Sequence, residues 1–305
     1  MDDGERRSLA AALAGPNGAP AQWVIVQPPC DSGRGVEIQA VALPRGAAVR
    51  RGVGTAVVEH GALREVLTGA ITAPTRSKGG FFDEATAVFV ESERRLKSEG
   101  LDFRHAARTW IHLTDMQRDY AELNRARREF FRHRGVTVLP ASTGIGGEPV
   151  VLDPGGGTAR IALTVLAAAE GEAAVHRPLS TPTLNEAPEY GSDFSRGARF
   201  ERGGRVLLHL SGTSAVDERG QSVAIGDFDA QAERTFLNLK KLLEGQGARF
   251  SSTLSAIAYL KDRRFVDRYR EIAARHGLLS APHTIVEAEV CRPELLLEVE
   301  LVACR

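Results

Sequence analysis

Phe82-Asp83-Glu84-Ala85 opens a run with the apolar spacing of an amphipathic helix, and 146 positions further on Phe228-Asp229-Ala230-Gln231 opens another. Apolar residues recurring three and four positions apart lay one stripe along each helix. From these two starts the chain runs in step. The first helix spans 83–99 and leads to Gly100-Leu101-Asp102-Phe103, a strand over 107–113, Asp115 and a helix over 116–133. The second spans 229–244 and leads to Gly247-Ala248-Arg249-Phe250, a strand over 253–260, Asp262 and a helix over 265–276. A further strand follows each copy, over 136–139 and over 283–290. β-rich stretches precede them at 23–27, 36–43 and 55–60 in the first copy and 206–210 in the second, where Asp217-Glu218-Arg219-Gly220 reads as a hairpin turn. The repeated order, with aspartates at matching loop positions, marks an internal duplication. Alternating helices and strands predict an α+β chain with mixed sheets, helices packed on one face of each, and a barrel-like body made of the two copies. The expected division is a flexible N-terminus over 1–20, a first unit over 21–170, a linker over 171–188 rich in Ala, Pro, Ser and Thr, and a second unit over 189–305.

Composition narrows the class of protein. The 305 residues are 43% hydrophobic and 26% charged, which excludes collagen-like, disordered and membrane chains. Lys plus Arg and Asp plus Glu both number 39, so no global field draws the chain to nucleic acid or anionic lipid. Cys30, Cys291 and Cys304 show no CxxC or Cys/His ligand spacing, and the histidines no HExxH pairing; no disulfide framework, metal or cofactor is expected. The first twenty residues lack the apolar run of a signal peptide, and no stretch nears the roughly 20 apolar residues that span a bilayer. The expectation is a cytoplasmic protein with a small-molecule carboxylate as its partner.

Several residues could carry chemistry. Glu298 and Glu300 lie two apart in a strand, so both point to one face while Leu297 and Val299 point to the other. A solvated polar face explains that pattern; so does a desolvated acid pair, whose mutual repulsion raises a carboxyl's pKa until it can deliver a proton near neutrality. Arg127 sits in a helix beside Arg125 and Arg128, where surface cations are common, and Arg196 lies in a loop-like segment. Ser142-Thr143-Gly144-Ile145-Gly146-Gly147 lacks the Lys-Ser/Thr of a phosphate loop and continues extended through Pro149-Val150-Val151, which argues against nucleotide binding. Its glycines and hydroxyls suit a backbone that approaches a small anion closely. Gly155-Gly156-Gly157 reads as a turn after Asp153-Pro154, and Cys291 as a small buried hydrophobe.

The stretch from Phe194 through Leu208-His209-Leu210-Ser211-Gly212-Thr213, Gly226-Asp227 and Asn238-Leu239 to Cys291-Arg292-Pro293-Glu294-Leu295-Leu296-Leu297-Glu298-Val299-Glu300 resembles the RidA family. Arg108-Thr109-Trp110, Ala126-Arg127 and Leu139-Pro140-Ala141-Ser142-Thr143-Gly144-Ile145-Gly146 resemble the N-terminal half of chorismatases, which join a degenerate RidA-like unit to a complete one. The resemblance implies a site at the junction of two units. It makes Glu298 the catalytic acid and Arg127 and Arg196 the partners of substrate carboxylates, a task that planar guanidinium performs better than lysine. By the same resemblance Ser142, Thr143, Gly144, Tyr190, Thr213, His283 and Cys291 contact substrate, and a cysteine at position 291 marks the hydroxybenzoate-forming subtypes. His283 stands where deaminating RidA proteins carry arginine, a place it could partly fill when protonated. The run Ala187-Pro188-Glu189-Tyr190-Gly191-Ser192-Asp193-Phe194-Ser195-Arg196 is shorter than its chorismatase counterpart. The implied reaction cleaves the enolpyruvyl ether of chorismate, or a related carboxylate, to pyruvate and a hydroxybenzoate or dihydroxylated diene. Enamine/imine deamination and non-catalytic binding stand as alternatives. RidA proteins are trimers, so this chain is expected as a monomer or a homo-oligomer, a trimer among the choices.

Overall fold

A computed structural model describes residues 4, 23–27, 29–30, 48–52, 54–73, 80–151 and 157–305. The flexible segment expected over 1–20 (Gly4 apart), the strand expected over 36–43, and Asp153 to Gly156 of the expected turn lie outside the described residues. The first half contains β1 (Trp23–Val26), β2 (Ala48–Gly52), β3 (Thr55–His60), β4 (Leu63–Thr68), β5 (Ile71–Thr72), α1 (Phe81–Ser98), β6 (Ala106–Leu113), α2 (Met116–Arg134), β7 (Ala141–Gly146), β8 (Glu148–Val151) and β9 (Ile161–Glu170). The second contains β10 (Ala173–Ala174), β11 (Arg177–Leu179), β12 (Gly197–Arg202), β13 (Arg205–Thr213), α3 (Phe228–Glu244), β14 (Thr253–Leu260), α4 (Val266–Arg275), β15 (His283–Glu287) and β16 (Leu297–Cys304).

The main sheet of the first half runs β2-β3-β4-β9-β6-β7, with β5 and β10 also on β9; that of the second runs β11-β12-β13-β16-β14-β15. Strand for strand, in chain order, the two arrangements are the same. Within each, only the edge pair, β6–β7 or β14–β15, is parallel, because α2 or α4 supplies the crossover that parallel pairing requires. The irregularities repeat as well: a register shift falls at Ala106/Arg108 where β6 meets β9, and at Thr253/Ser255 where β14 meets β16. The chain is α+β with two tandem units, as its duplicated sequence requires.

Local chemistry explains the element ends. Asp115 accepts from the Arg118 amide at 3.0 Å and Asp227 from that of Ala230 at 3.0 Å, so each caps a helix. Asp262 accepts from the Arg264 amide at 2.9 Å and caps the short turn before α4. Gly135, at φ 64°, ends α2, and the Val136 amide turns back to the Phe131 carbonyl at 3.0 Å. The run 136–139, expected as a strand, is therefore the exit from a helix; the strand is Ala141–Gly146, whose small polar residues disguise it. The strand expected over 283–290 stops at Glu287. The segment 171–188, expected as a linker, places β10 on the first sheet and β11 on the second.

Helices cover one face of each sheet and the other sheet covers the opposite face. Phe89, Phe103, Phe130 and Phe131 form the aromatic centre beneath α1 and α2, with Phe103 and Phe130 centroids 5.0 Å apart. Phe236, Leu239 and Tyr269 serve beneath α3 and α4. Leu63, Ala107 and Leu166 of the first sheet meet Phe200 and Leu207 of the second. Nine of the ten residues of β9 are buried or half-buried, as a strand covered on both faces must be. Among the described residues, no helix is long and apolar enough to cross a membrane.

Candidate active site

The two sheets are stitched where β7 runs beside the strand end of β13. Ser195 donates its amide to the Pro140 carbonyl at 2.9 Å, and Ser142 its amide to Ser211 Oγ at 2.9 Å. Ser211 Oγ in turn donates to the Ser195 carbonyl at 2.6 Å, and Gly212 gives its amide to Thr143 Oγ1 at 2.9 Å. The Thr143 hydroxyl thus joins the two units, while Ser142 Oγ accepts from Thr109 Oγ1 at 2.8 Å within the first unit. Deeper in the seam, Arg108 of β6, 2% exposed, donates to Thr143 Oγ1 and, at 2.8 Å, to Glu300 Oε2 of β16. Trp110 Nε1 donates to the other oxygen, Glu300 Oε1, at 2.9 Å. Local spacing in the sequence gives neither donor a role, because their shared partner lies in the other unit.

A cavity of about 400 Å³ opens over this seam, walled by α2, β7, the loop 190–196, the end of β13 and the run from Cys291 to Glu298. Three arginines line it, and among the described residues none is ion-paired with a carboxylate. Arg127 donates to Asn124 Oδ1 at 2.6 Å and leaves its buried Nε without a partner. Arg196 donates through Nε and Nη2 to the Asn185 carbonyl, at 2.8 and 2.5 Å. Arg292 donates to the Gly220 carbonyl at 2.8 Å. Aromatic rings separate them: Phe194 lies between Arg127 (5.5 Å) and Arg196 (5.6 Å), and Tyr190 between Arg196 (5.3 Å) and Arg292 (5.2 Å). Cation–π attraction holds like charges together here without acids that would neutralise them. Burial pushes the Arg127 pKa down, yet guanidinium stays a cation in proteins.

Glu298 is the acid of the cavity. It is 4% exposed, and its carboxyl lies across Gly212 so closely that a Cβ there would overlap Oε1. Burial, and next the neighbouring Glu300, raise its pKa to about 8, against the opposing pull of Arg108, Ser214 and Arg196. At neutral pH it is a carboxylic acid facing a cationic hollow. Burial and then Glu298 raise the Cys291 thiol to about 12, so that sulfur is neutral.

Of the residues singled out in the sequence, Arg127, Ser142, Gly144, Tyr190, Arg196, Cys291 and Glu298 line the cavity. Thr143 stands behind its wall, as does Thr213, whose hydroxyl donates to the Ser211 carbonyl at 2.8 Å. His283 lies elsewhere, at the start of edge strand β15, with Nε2 2.8 Å from the Tyr269 hydroxyl. Burial lowers its pKa to about 4, so a neutral ring outside the cavity cannot stand in for an arginine. Gln117, Tyr120 and Asn124 also line the cavity. Their spacing with Arg127, three or four positions at each step, marks one face of α2 and was a readable signal.

The relatives fit this picture. Residues 186–305 match the family model described as Endoribonuclease L-PSP. A 3-hydroxybenzoate synthase of Streptomyces hygroscopicus is 28% identical over 254 residues, covering 72% of this chain and 69% of that protein. A RutC family protein of Saccharolobus solfataricus is 26% identical over 120 residues, 39% of this chain and 91% of that protein. The crystal structure of a chorismatase superposes with a TM-score of 0.66 at 20% identity, over 84% of this chain and 78% of that one, and so shares its fold.

Proposed function

We propose that this chain, a member of the RidA superfamily built like chorismatase from two tandem units, cleaves the enolpyruvyl ether of chorismate or a closely related dicarboxylate. One observation carries the reading: three guanidiniums without acid partners share a single cavity with one buried, protonated carboxyl. A ligand with two carboxylates supplies the missing anions, and bidentate pairing orients it. The similarity to a 3-hydroxybenzoate synthase supports the same chemistry.

In this reading Glu298 gives its proton to the methylene carbon of the enol ether, which becomes a methyl group. The positive charge then rests on the ether carbon as an oxocarbenium ion. Water, or a ring oxygen, adds to that carbon, and the carboxylate of Glu298 takes up the proton released. Where water has added, collapse of the adduct breaks the bond between the ether oxygen and that carbon, leaving a ring hydroxyl and free pyruvate. Where the ring hydroxyl has added, the bond from its oxygen to the ring breaks as the ring carbon bearing the ether loses its proton; the ether bond then breaks, so that oxygen leaves in pyruvate and the aromatised ring keeps the ether oxygen as its hydroxyl. A dihydroxylated diene takes up one water overall; a hydroxybenzoate takes up none. Cys291 lines the cavity as a neutral thiol, in keeping with the hydroxybenzoate outcome. A monocarboxylate imine would answer only one of the three guanidiniums, so deamination has less support.

The test is incubation of the purified protein with chorismate, with pyruvate followed by a coupled assay and the ring product by mass. Release of one pyruvate per chorismate is expected. Intact chorismate after prolonged incubation would overturn the reading for chorismate itself, and the mass of the ring product distinguishes its two forms.

A further inference from the structure

We infer that Glu300, clamped by Arg108 and Trp110 from the other unit, is a positioning residue whose fixed carboxylate on the same strand face sets the electrostatic surroundings of the Glu298 carboxyl. The inference rests on the reading of Glu298 as proton donor. Glu298 and Glu300 share a face of β16, and Glu300 is 5% exposed. Both of its oxygens are occupied, Oε2 by Arg108 at 2.8 Å and Oε1 by Trp110 at 2.9 Å, so it can turn neither toward Glu298 nor toward water. Arg108 is itself fixed by Thr143 Oγ1 and lies 5.0 Å from the Trp110 ring.

Stability alone is a poor reason for this arrangement. A buried ion pair recovers its desolvation cost only when every polar atom is satisfied, and Arg108 Nη1 is buried without a partner. What the pair does achieve is a charge of fixed position beside Glu298. The other groups around that carboxyl are few: Tyr259 opposite it on β14, Arg108 from β6, Ser214 beyond β13 at 3.5 Å, Arg196 from the loop before β12, and Cys291 ahead of β16. Among the described residues no cation forms an ion pair with Glu298, while Glu300 has one. Two acids on one strand face are thus given opposite tasks by donors that come from the other half of the chain.

The titration of Glu298 can be read in the free protein by infrared spectroscopy of its protonated carboxyl, with Glu298→Gln as the blank that identifies the band. Glu300→Gln removes the neighbouring anion and leaves Arg108 unopposed, so the midpoint should fall by about one pH unit or more. Arg108→Met should raise it. The double variant Arg108→Met/Glu300→Gln buries no unpaired charge and so retains the fold; its midpoint should lie below that of wild type and above that of Glu300→Gln. If Glu300→Gln does not fold, the double variant against wild type carries the test. Midpoints that coincide in all folded variants, or a band that survives Glu298→Gln, would overturn the inference. Because no substrate is present, a failure of chorismate cleavage would sink the functional reading and leave this result to be judged separately.

Discussion

β9 and β16 occupy the same place in their sheets, each in the middle with an antiparallel neighbour on either side, yet they carry opposite chemistry. Aligned on the two repeated register shifts, Ala162 and Thr164 of β9 stand where β16 has Glu298 and Glu300. Conversely, Arg108 and Trp110 of β6 stand where β14 has Ser255 and Ile257. The second copy has acids where the first has small or neutral residues, and the first has a cation and a donor where the second has none. Two copies alike at these positions would leave either the acid or the guanidinium buried without its partner, at a desolvation cost that nothing offsets. Divergence after duplication lets a single chain place complementary groups on either side of one cavity.

This asymmetry can be broken in steps. The largest effect should come from Glu298→Gln, which keeps shape and hydrogen bonding but removes the proton: kcat should fall about 10²- to 10⁴-fold with binding of a dicarboxylate retained. Full turnover in that variant would take the acid off β16. Next, Arg127→Ala and Arg196→Ala should each weaken dicarboxylate binding by roughly 2 to 5 kcal/mol, measured by titration calorimetry. The exposed Arg125 on the same helix, paired with Glu122 at 2.6 Å, is the control, and Arg125→Ala should change binding by well under about 1 kcal/mol. Equal tolerance of all three would return the cavity arginines to the status of surface cations.

Gly212→Ala puts a methyl group where Glu298 Oε1 lies. The carboxyl must move, and a shift of about 1 Å is worth roughly 10²-fold in rate; an unchanged kcat would show that its position is immaterial. Trp110→Ile gives β6 the residue that β14 has, and should cost roughly 1 to 3 kcal/mol in denaturant unfolding by leaving Glu300 Oε1 without its donor. A stability equal to wild type would mean the clamp is idle.

The mildest effect lies in the pH dependence of stability. The folded chain holds a proton on Glu298 up to about pH 8 that an unfolded chain releases near pH 4.5, so stability should fall as pH rises between these values, by no more than about 1.4 kcal/mol per unit. Buried His176 and His209 act in the opposite sense. Burial lowers them to about 4 and about 3, the unfolded chain binds protons there first, and stability should rise with pH up to about 6.5. Glu298→Gln should remove the alkaline decline and leave the acid limb intact, which thermal melts across pH would measure.

The helices, the aspartates at matching loop positions and the shared face of Glu298 and Glu300 were legible in the sequence because each follows from local spacing, and the duplication because that local pattern recurs 146 positions on. Periodicity fixes which way a side chain points along its own element. It does not say what lies opposite. The last strand of the chain, β16, is central in its sheet because β13 and β14 pair to either side of it, and that placement buries the two acids that spacing alone allowed to be solvated. β7 was hidden because its serine, threonine and glycines have no strand pattern of their own; pairing with β6 and bonds to Ser211 and Gly212 order it. The partnership of Arg108 with Glu300 spans 192 positions. Only the docking of one sheet on the other brings it about, because the free energy of a buried charge depends on neighbours that the chain's own order does not make adjacent.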